Sequence, residues 1–357
     1  MRGYESRGAV AARVGRVVAP VSSLEDCSLA IEAGADELYC GLLTDEWKNR
    51  YGDSETVSRR QGRGAHVRSL DELAAVAAMA RRRSVAVALT LNARYTRDQE
   101  AFIARIAATW EEMGGQSVVV ADPGLMLQLK RSRSRLQVHA SLLTNAFNGS
   151  TVAFLAALGA SRVILPRELA LEECSALVDA ARSRGFSLDY EMIVLNQRCP
   201  FIDGLCGFHH AVRVPKDEFA QFEYEAAGPG SLPVAWSSDP DNRGHGCELG
   251  WQTDDGPMKK TGDGDGPACA ACLLSDLARA GARYYKIAGR GAPGAVVARD
   301  VRFIRMAVDD CDPEVATDGM RSDTIRRRYA ATFGRPCSAA DCYYRVREGV
   351  DGDGKAR

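Results

Sequence analysis

Eight short β-rich runs recur along this chain, and most of them are separated by a helix-length apolar pattern. The runs span residues 16–21, 36–41, 85–93, 117–122, 136–141, 162–166, 187–194 and 284–289. Strands that alternate with helices through right-handed crossovers form a parallel sheet, and closure into a barrel removes both sheet edges. The sequence therefore predicts an α/β fold, a (β/α)8 TIM-like barrel, with a doubly wound open sheet as the structural alternative.

The ends of the predicted helices agree with this alternation. Gly34, Gly159 and Gly281 each precede an alanine and then a strand, which is the position of a left-handed C-cap. Ser69 stands directly before "LDELAAVAAMARRR" and predicts the N-cap of a helix. These residues indicate where individual helices begin and end.

Two connections are too long for a plain barrel. Residues 42–68 follow the second strand, and residues 195–272 follow the seventh. Loops that follow barrel strands lie on the C-terminal face, where active sites are built, and long loops are usually functional. We therefore predict a tail at 1–14, a barrel over 15–310 with an insertion at 195–272, and an extension at 311–357 outside the barrel. In the extension, "DTIRRRYAATF" predicts a helix and "DGDGKAR" a mobile end.

The charge balance is uninformative about partners. Lys and Arg number 46 against 47 for Asp and Glu, so no strong field would recruit nucleic acid or an anionic membrane. The N-terminus lacks the apolar core of a signal peptide, and no stretch approaches the ~20 apolar residues that span a bilayer. We expect a cytoplasmic protein with no nucleic-acid partner and no membrane span.

Polar residues share one alternating phase in several predicted strands, while the other phase is apolar. In a barrel, such a phase points inward and forms a pocket at the mouth. The polar set comprises Thr90, Asn92, Arg94, Gln137, His139, Ser141, Asp189 and Glu191. We predict Asn92, His139, Ser141 and Glu191 as catalytic residues, and His139 is one of only five histidines. Ordinary hydrogen-bonded lumen side chains are the alternative.

The chain has 11 cysteines, which in a reducing compartment are core residues or metal ligands rather than a disulfide framework. Cys27 and Cys174 fall in helix-like segments and fit small buried hydrophobes. Five others gather in one window rich in Gly, Asp and Pro: Cys199, Cys206, Cys247, Cys269 and Cys272. Four thiolates from such a loop can bind Zn²⁺ or a [4Fe–4S] cluster, and the spacing alone leaves both open.

The segments "APVSSLEDCSLAIEAGADELYCG", "LQVHASLLTNAFN", "VILPRELALEE", "NQRCPFIDGLC", "DNRGHGCELGW" and "ACLLSDLARAGARYYKIAGR" follow one another in this chain. In this order they resemble the peptidase U32 family. The resemblance implies a TIM-like barrel and a [4Fe–4S] cluster on Cys199, Cys206, Cys247 and Cys272. Cys272 matches the family's last cysteine because it directly precedes two apolar residues and a helix.

The chain departs from the family pattern at several points. Ala288 in "KIAGR" replaces a glutamate, "NRGHGC" is a lengthened motif, and a cysteine that commonly follows it is missing. The C-terminal domains of the longer, RNA-modifying members are also missing. The length resembles that of the short members that act in anaerobic ubiquinone hydroxylation. The resemblance therefore implies an oxygen-independent hydroxylase that uses prephenate as oxygen donor.

An organic dianion such as prephenate needs fixed cations. Arg94, Arg167 and Arg290 lie near the ends of strands three, six and eight, and we predict them as substrate-binding residues together with Lys286 and Asn145. Salt bridges at the barrel rim are the alternative for each arginine.

Three functions are compatible with the sequence. The first is a [4Fe–4S] hydroxylase of a small or aromatic substrate. The second is a peptidase, as the family name suggests, although no H-E-x-x-H and no G-x-S-x-G motif supports hydrolysis. The third is a non-catalytic cluster-bearing subunit, in a homo- or heterodimer with a related chain.

Overall fold

The computed structural model is a closed barrel of eight parallel strands, in which the first barrel strand of the chain pairs with both the second and the last. It describes residues 15–52, 57–60, 63–196, 202–205, 234–235, 250–253, 256–257, 267–312, 314, 319–338 and 342–344. The strands are β1 Arg16–Pro20, β2 Glu37–Cys40, β3 Ala86–Leu91, β4 Ser117–Val120, β5 Gln137–Ala140, β6 Ala160–Ile164, β7 Asp189–Leu195, the short β8 Val234–Ala235, β9 Gly250–Thr253 and β10 Gly256–Pro257, and β11 Ala282–Ile287. The predicted (β/α)8 barrel is confirmed.

Helices connect the barrel strands and cover their outer side. They are α1 Leu24–Glu32, α2 Asp45–Tyr51, α3 Leu70–Arg82, α4 Arg97–Glu112, α5 Pro123–Arg131, α6 Gly149–Ala157, α7 Leu171–Ser183, α8 Leu274–Arg279, α9 Gly294–Asp309 and α10 Gly319–Phe333. Ser69 caps α3, because its hydroxyl accepts a hydrogen bond from the Glu72 amide at 3.1 Å. Gly34, Gly159 and Gly281 have φ of 102°, 101° and 102°, so these predicted C-caps are confirmed.

Apolar side chains pack on both sides of the barrel wall. The outer layer lies between strands and helices and includes the buried rings of Trp47, Phe102 and Trp110. A smaller cluster lies inside the barrel, made by Val18, Tyr39, Ala88, Val119 and Ile164. These inward side chains show that alternate residues of each strand face the lumen.

The two long connections contain structure of their own. Residues 42–68 include α2 and a 3₁₀ turn at Arg63–Ala65, and Leu42 pairs with Val67 at their base. The described part of the 195–272 insertion includes a 3₁₀ turn at Asp203–Leu205 and a small antiparallel sheet of β8, β9 and β10. Both connections follow the carboxyl ends of strands, β2 and β7.

The C-terminal extension returns to the barrel mouth. The predicted helix is α10, whose Tyr329 donates a hydrogen bond to the Pro267 carbonyl at 3.0 Å. Farther on, Cys342 pairs with Cys269, and Tyr343 and Tyr344 are buried. The end "DGDGKAR" lies outside the described residues. Within the described ranges, the chain has no helix of the length and apolarity needed to cross a bilayer.

Candidate active site in the barrel mouth

A buried network of four charged side chains lies inside the barrel. Arg162 makes a bidentate contact with Glu37, at 2.8 and 2.9 Å, and also donates to Glu191 at 2.9 Å. The Lys286 ammonium contacts the other oxygen of Glu191 at 2.7 Å. Two carboxylates therefore face two cations, and the network is neutral as a whole.

The pKa values follow from this pairing. Burial opposes the charged form of Glu191, but Lys286 and Arg162 outweigh it and lower the pKa of Glu191 to about 2. Burial dominates at Glu37 and raises its pKa, although Arg162 opposes the shift. The four groups form a charge-compensated layer below the mouth.

Glu37, His139 and Glu191 offer ligand atoms within 4.8 Å of one another. A divalent cation at that point would meet the Arg162 guanidinium and the Lys286 ammonium, which already neutralise both carboxylates. Added positive charge in a buried neutral group is strongly unfavourable. We therefore interpret the three residues as part of the charged layer and not as a metal site.

His139 lies beside this layer as a neutral side chain. Its Nδ1 is 3.9 Å from a Glu37 oxygen, and neither ring nitrogen has a hydrogen-bond partner. Burial, followed by the charge of Arg162, lowers the pKa of His139 to about 3. A buried imidazole with two unsatisfied nitrogens can accept or donate a proton to a bound molecule.

Acidification is expected to destabilise the fold through His66 and His139. Burial lowers the pKa of each to about 3 from the ordinary 6.5. Below pH 6.5 the unfolded chain binds protons on both histidines and the folded protein does not, so stability falls as the pH drops from 6.5 toward 3. At about pH 5 the loss is about 2 kcal/mol per histidine. Urea unfolding at about pH 7 and about pH 5 measures it, and His139→Gln should remove about half of the dependence.

A second group lies nearer the mouth and is centred on Arg290. This guanidinium is buried and donates to the Thr90 hydroxyl at 2.9 Å and to the Ser58 hydroxyl at 3.0 Å. A β-carbon on Gly41 would lie 2.1 Å from Arg290 Nη1 and 2.5 Å from His66 Nδ1. His66 Nδ1 has no hydrogen-bond partner, so these groups converge on the same small space.

The charge of Arg290 is not compensated within the described part of the chain. Its hydrogen-bond partners there are neutral hydroxyls, and burial lowers its pKa to about 10. The nearby Arg60 shifts the pKa of Arg290 in the same direction. A buried cation without an acidic partner favours an anionic ligand.

Asn92 and Ser141 lie close together above the lumen. The Asn92 amide contacts the Ser141 hydroxyl at 3.4 Å, and the Asn92 carbonyl accepts from the Arg59 amide at 3.1 Å. Ser141 also accepts from the Leu143 amide at 3.3 Å. The four predicted catalytic residues thus form two groups, with Asn92 and Ser141 in contact at the strand ends and His139 and Glu191 in the deeper charged layer.

The predicted substrate-binding residues divide into two groups. Arg290 and Lys286 line the lumen, whereas Arg94 and Arg167 hold the insertion. Arg167 donates two hydrogen bonds to the two Asp203 carboxylate oxygens, each at 2.7 Å. Arg94 donates to the Gly204 carbonyl at 2.8 Å. Arg59 also contacts the Asp203 carboxylate.

Asn145 contacts the same segment from the loop after β5. A β-carbon on Gly204 would lie 2.1 Å from Asn145 Oδ1 and 2.4 Å from the Leu143 carbonyl. Position 204 therefore requires glycine. The turn Asp203–Leu205 is fastened over the mouth by loops that follow β2, β3, β5 and β6.

The two ends of the 195–272 insertion are hydrogen-bonded to each other. Asn196 donates to the Ala268 carbonyl, and Ala270 donates to the Val194 carbonyl, both at 2.8 Å. The insertion therefore leaves and re-enters the barrel at one point of the mouth.

Among the predicted metal ligands, Cys272 is described and stands in the 3₁₀ turn before α8, half-buried. Cys199, Cys206 and Cys247 lie outside the described residues. In the sequence, Cys199 follows Asn196 by three positions and Cys206 follows Leu205 directly. The thiol donors suit an iron–sulfur cluster, which requires deprotonated sulfur; burial raises the pKa of the Cys272 thiol to about 11, so iron would have to displace its proton.

Several site residues were not predicted from the sequence. Glu37 and Arg162 lie in predicted strands and share the inward phase of Tyr39 and Ile164, so the alternation that predicted Glu191 also applies to them. His66, Ser58 and Asp203 lie in long connections without periodicity. No local pattern indicates their roles.

The fold and the site define a (β/α)8-barrel protein whose polar side chains converge at the carboxyl ends of the strands, where barrel enzymes place their chemistry. A family model described as Peptidase family U32 matches residues 22–351. The chain belongs to that family.

Two curated relatives share one name. The tRNA hydroxylation protein P of Escherichia coli strain K12 is 34% identical over 95 residues, 27% of this chain and 20% of that protein. The protein of that name from Helicobacter pylori strain J99 is 21% identical over 300 residues, 82% of this chain and 64% of that protein. The chain thus matches less than two thirds of either relative. The solved structure of the U32 peptidase Mk0906 is similar with a TM-score of 0.38 and 16% identity, over 53% of this chain and 72% of that one.

Proposed function

We propose that this protein is an oxygen-independent hydroxylase that carries a [4Fe–4S] cluster on Cys199, Cys206, Cys247 and Cys272. The observation that carries the proposal is the joined base of the insertion, at Asn196 and Ala268, together with the turn Asp203–Leu205 held over the mouth. The joined base of the cysteine-bearing insertion lies beside Ala288, two residues before Arg290, because the Asn196 side chain donates to the Ala288 carbonyl at 3.3 Å.

The cluster would supply electron transfer or structural support. Four thiolate ligands leave no open position on the iron for a substrate. The protein's own residues then have to bind and orient the reacting molecules. Cys272 would be the ligand closest to the end of the insertion, in the 3₁₀ turn before α8.

Arg290 is the proposed recognition group for an anionic oxygen donor such as prephenate. Its buried charge has neutral partners, and a carboxylate would supply the missing counter-charge. His66 and Thr90 lie around it and can contribute further hydrogen bonds. His139, with both ring nitrogens unsatisfied, is the proposed group for proton transfer.

The hydroxylated substrate is proposed to be a small or aromatic molecule. The names of the curated relatives refer to tRNA hydroxylation, so the expectation that nucleic acid is not a partner has no support from them. An RNA base is therefore the second candidate substrate. A base that leaves its stack and enters a pocket is itself a small aromatic group.

The test combines composition and turnover. Protein purified without air should contain about four iron and four sulfide per chain, and should hydroxylate a small aromatic acceptor or unmodified tRNA only when prephenate is present. Zinc without sulfide contradicts the cluster. Casein cleavage that survives loss of the cluster would support a peptidase. A retained cluster with turnover only after a related chain is added would support a subunit role.

Arg290→Met is expected to weaken binding of the anionic donor without destabilising the protein. A hydrogen bond to a charged group contributes about 1.5–3 kcal/mol, so the KM for prephenate should rise roughly 10- to 100-fold. Because the substitution also removes an uncompensated buried charge, the free energy of unfolding should stay within about 1 kcal/mol of the wild type. Steady-state kinetics and urea unfolding measure the two effects. A strongly destabilised variant would indicate a structural cation instead.

A further inference from the structure

The His66 ring has a fixed orientation and one nitrogen without a partner. Its Nε2 lies 2.7 Å from the Arg60 carbonyl oxygen. A carbonyl oxygen can only accept a hydrogen bond, so Nε2 carries a hydrogen. On the other side of the ring, Nδ1 is buried and has no hydrogen-bond partner among the described residues.

The ring is neutral at neutral pH. Burial, followed by the charge of Arg290, lowers the pKa of His66 to about 3, although the hydrogen bond to the Arg60 carbonyl opposes the shift. Because the single ring hydrogen is on Nε2, Nδ1 is a hydrogen-bond acceptor. A buried acceptor without a donor is unfavourable, and native proteins usually provide a donor for it. A bound ligand or a buried water can be that donor.

Backbone contacts place His66 beside Gly41. The Val67 amide donates to the Gly41 carbonyl at 2.8 Å, and the Leu43 amide donates to the Val67 carbonyl at 3.0 Å. These hydrogen bonds join the end of the connection 42–68 to its start, directly after β2. His66 precedes Val67 in the chain, so its ring is held at the carboxyl end of β2.

The His66 acceptor and the Arg290 guanidinium face the same space. A β-carbon on Gly41 would lie 2.1 Å from Arg290 Nη1 and 2.5 Å from His66 Nδ1, so the two nitrogens are no more than about 5 Å apart. One of them is a cationic donor and the other is a neutral acceptor. Glycine at position 41 leaves the space between them open, because it has no side chain.

We propose that Arg290 and His66 together recognise a carboxylate with a hydroxyl group on the neighbouring carbon, as in a 2-hydroxy acid or the enol form of a 2-oxo acid. Arg290 donates to the carboxylate, and His66 Nδ1 accepts the hydrogen bond from the hydroxyl. The inference rests on the proposed function, in which Arg290 binds the anionic oxygen donor. Prephenate has a 2-oxo acid side chain, whose enol form has the same pattern.

The pairing distinguishes this class of ligand from simple carboxylates. A carboxylate alone has no hydrogen to donate, so it would leave Nδ1 unpaired next to a second acceptor. A site that hydrogen-bonds a ligand hydroxyl disfavours the analogue without it for this reason. His66 is therefore a specificity-determining residue, whereas Arg290 provides the affinity for the anion.

Calorimetry of the full chain tests the pairing with two probes that differ in the 2-hydroxyl group, 3-phenyllactate and 3-phenylpropanoate. The wild type should bind the hydroxy acid about tenfold more tightly, which is the contribution of one good hydrogen bond. His66→Phe keeps a ring without the acceptor, so it should bind the two acids equally. His66→Asn brings an amide oxygen near the position of Nδ1 and should keep part of the preference.

Gly41→Ala tests the shared space. Its β-carbon would collide with both nitrogens, so binding of either acid should weaken roughly 10- to 100-fold, as expected for loss of a charge-assisted hydrogen bond. Gly64→Ala is the matched control, because it lies in the same connection and its β-carbon would meet nothing within 4 Å. This control should bind both acids like the wild type. Urea unfolding of each variant shows whether the fold is kept.

Three outcomes would overturn the inference. Equal binding of the two acids by the wild type, or no binding of either, would assign Nδ1 to a buried water. Tighter binding of inorganic phosphate than of 3-phenyllactate would identify a different anion. Net proton uptake on binding, measured in buffers of different ionisation enthalpy, would show that His66 becomes a cation and not an acceptor.

The proposed function is tested separately from this inference. A preference for the hydroxy acid without prephenate-dependent turnover would contradict the hydroxylase and support the ligand class. Prephenate-dependent turnover without that preference would support the hydroxylase and contradict the role of His66.

Discussion

Arg162→Met is expected to destabilise the protein by about 3–5 kcal/mol, because it leaves buried carboxylates without their partner. The guanidinium contacts both oxygens of Glu37 and one oxygen of Glu191, and all three residues are at most 3% exposed. Lys286 remains to neutralise Glu191. Among the described residues Arg162 is the strongest partner of Glu37, so without it Glu37 would have to take up a proton.

Urea unfolding of the wild type and the variant measures the loss. Arg135→Met is the matched control, since Arg135 contacts Glu111 at 2.9 Å with a side chain that is 82% exposed. Removal of the exposed Arg135 guanidinium should lower the free energy of unfolding by less than about 1 kcal/mol. Arg162→Lys keeps the charge and loses the bidentate geometry, so an intermediate loss is expected. Equal losses for Arg162→Met and Arg135→Met would contradict the buried network.

The two charged layers of the barrel differ in a way that bears on function. Glu37, Arg162, Glu191 and Lys286 balance one another, whereas Arg290 above them is paired with hydroxyls within the described residues. A compensated layer supports the fold, and an uncompensated charge attracts a ligand. Arg162→Met should therefore lower the free energy of unfolding, whereas Arg290→Met should weaken binding of the anionic donor.

The barrel could be predicted from sequence because its evidence is periodic and local. Strand alternation and C-cap glycines such as Gly159 act over a few residues, and helix and strand periods differ clearly. The same alternation predicted that Asn92, His139 and Glu191 face inward. Glu37 and Arg162 satisfied the rule as well, but their strands are short and mostly apolar, so each charge could equally be at a strand end.

The roles of the rim arginines could not be predicted. Arg94 and Arg167 have the same sequence context as Arg290, at the end of a strand. Arg167 contacts Asp203, 36 positions away, and Arg94 contacts the Gly204 carbonyl, 110 positions away. Such pairs depend on how the insertion folds back over the mouth, and no local propensity encodes that path. The meeting of Cys342 with Cys269 is unpredictable for the same reason.

The insertion cysteines should have the largest effect on the cofactor. Cys199→Ser, Cys206→Ser, Cys247→Ser and Cys272→Ser are each expected to lose most of the bound iron and the prephenate-dependent turnover, because a cluster on four thiolates needs every ligand. Cys199 and Cys206 enclose the turn Asp203–Leu205, which Arg167 and Arg94 fasten over the mouth. The turn that separates the two proposed ligands in the sequence is therefore held by contacts from the barrel rim.

Cys247 has to return to the mouth through a loop of roughly 40 residues, and the entropic cost of such closure grows only slowly with length. Cluster bonds can offset this cost, and the hydrogen bonds from Asn196 to Ala268 and from Ala270 to Val194 already join the ends of the insertion. Iron and sulfide analysis of each variant is the measurement, with Cys27→Ser and Cys174→Ser as controls that keep the cluster. If Cys269→Ser loses iron and Cys272→Ser keeps it, the fourth ligand is Cys269, and the assignment is displaced by three positions toward the backbone bridge that joins Cys269 to Leu195.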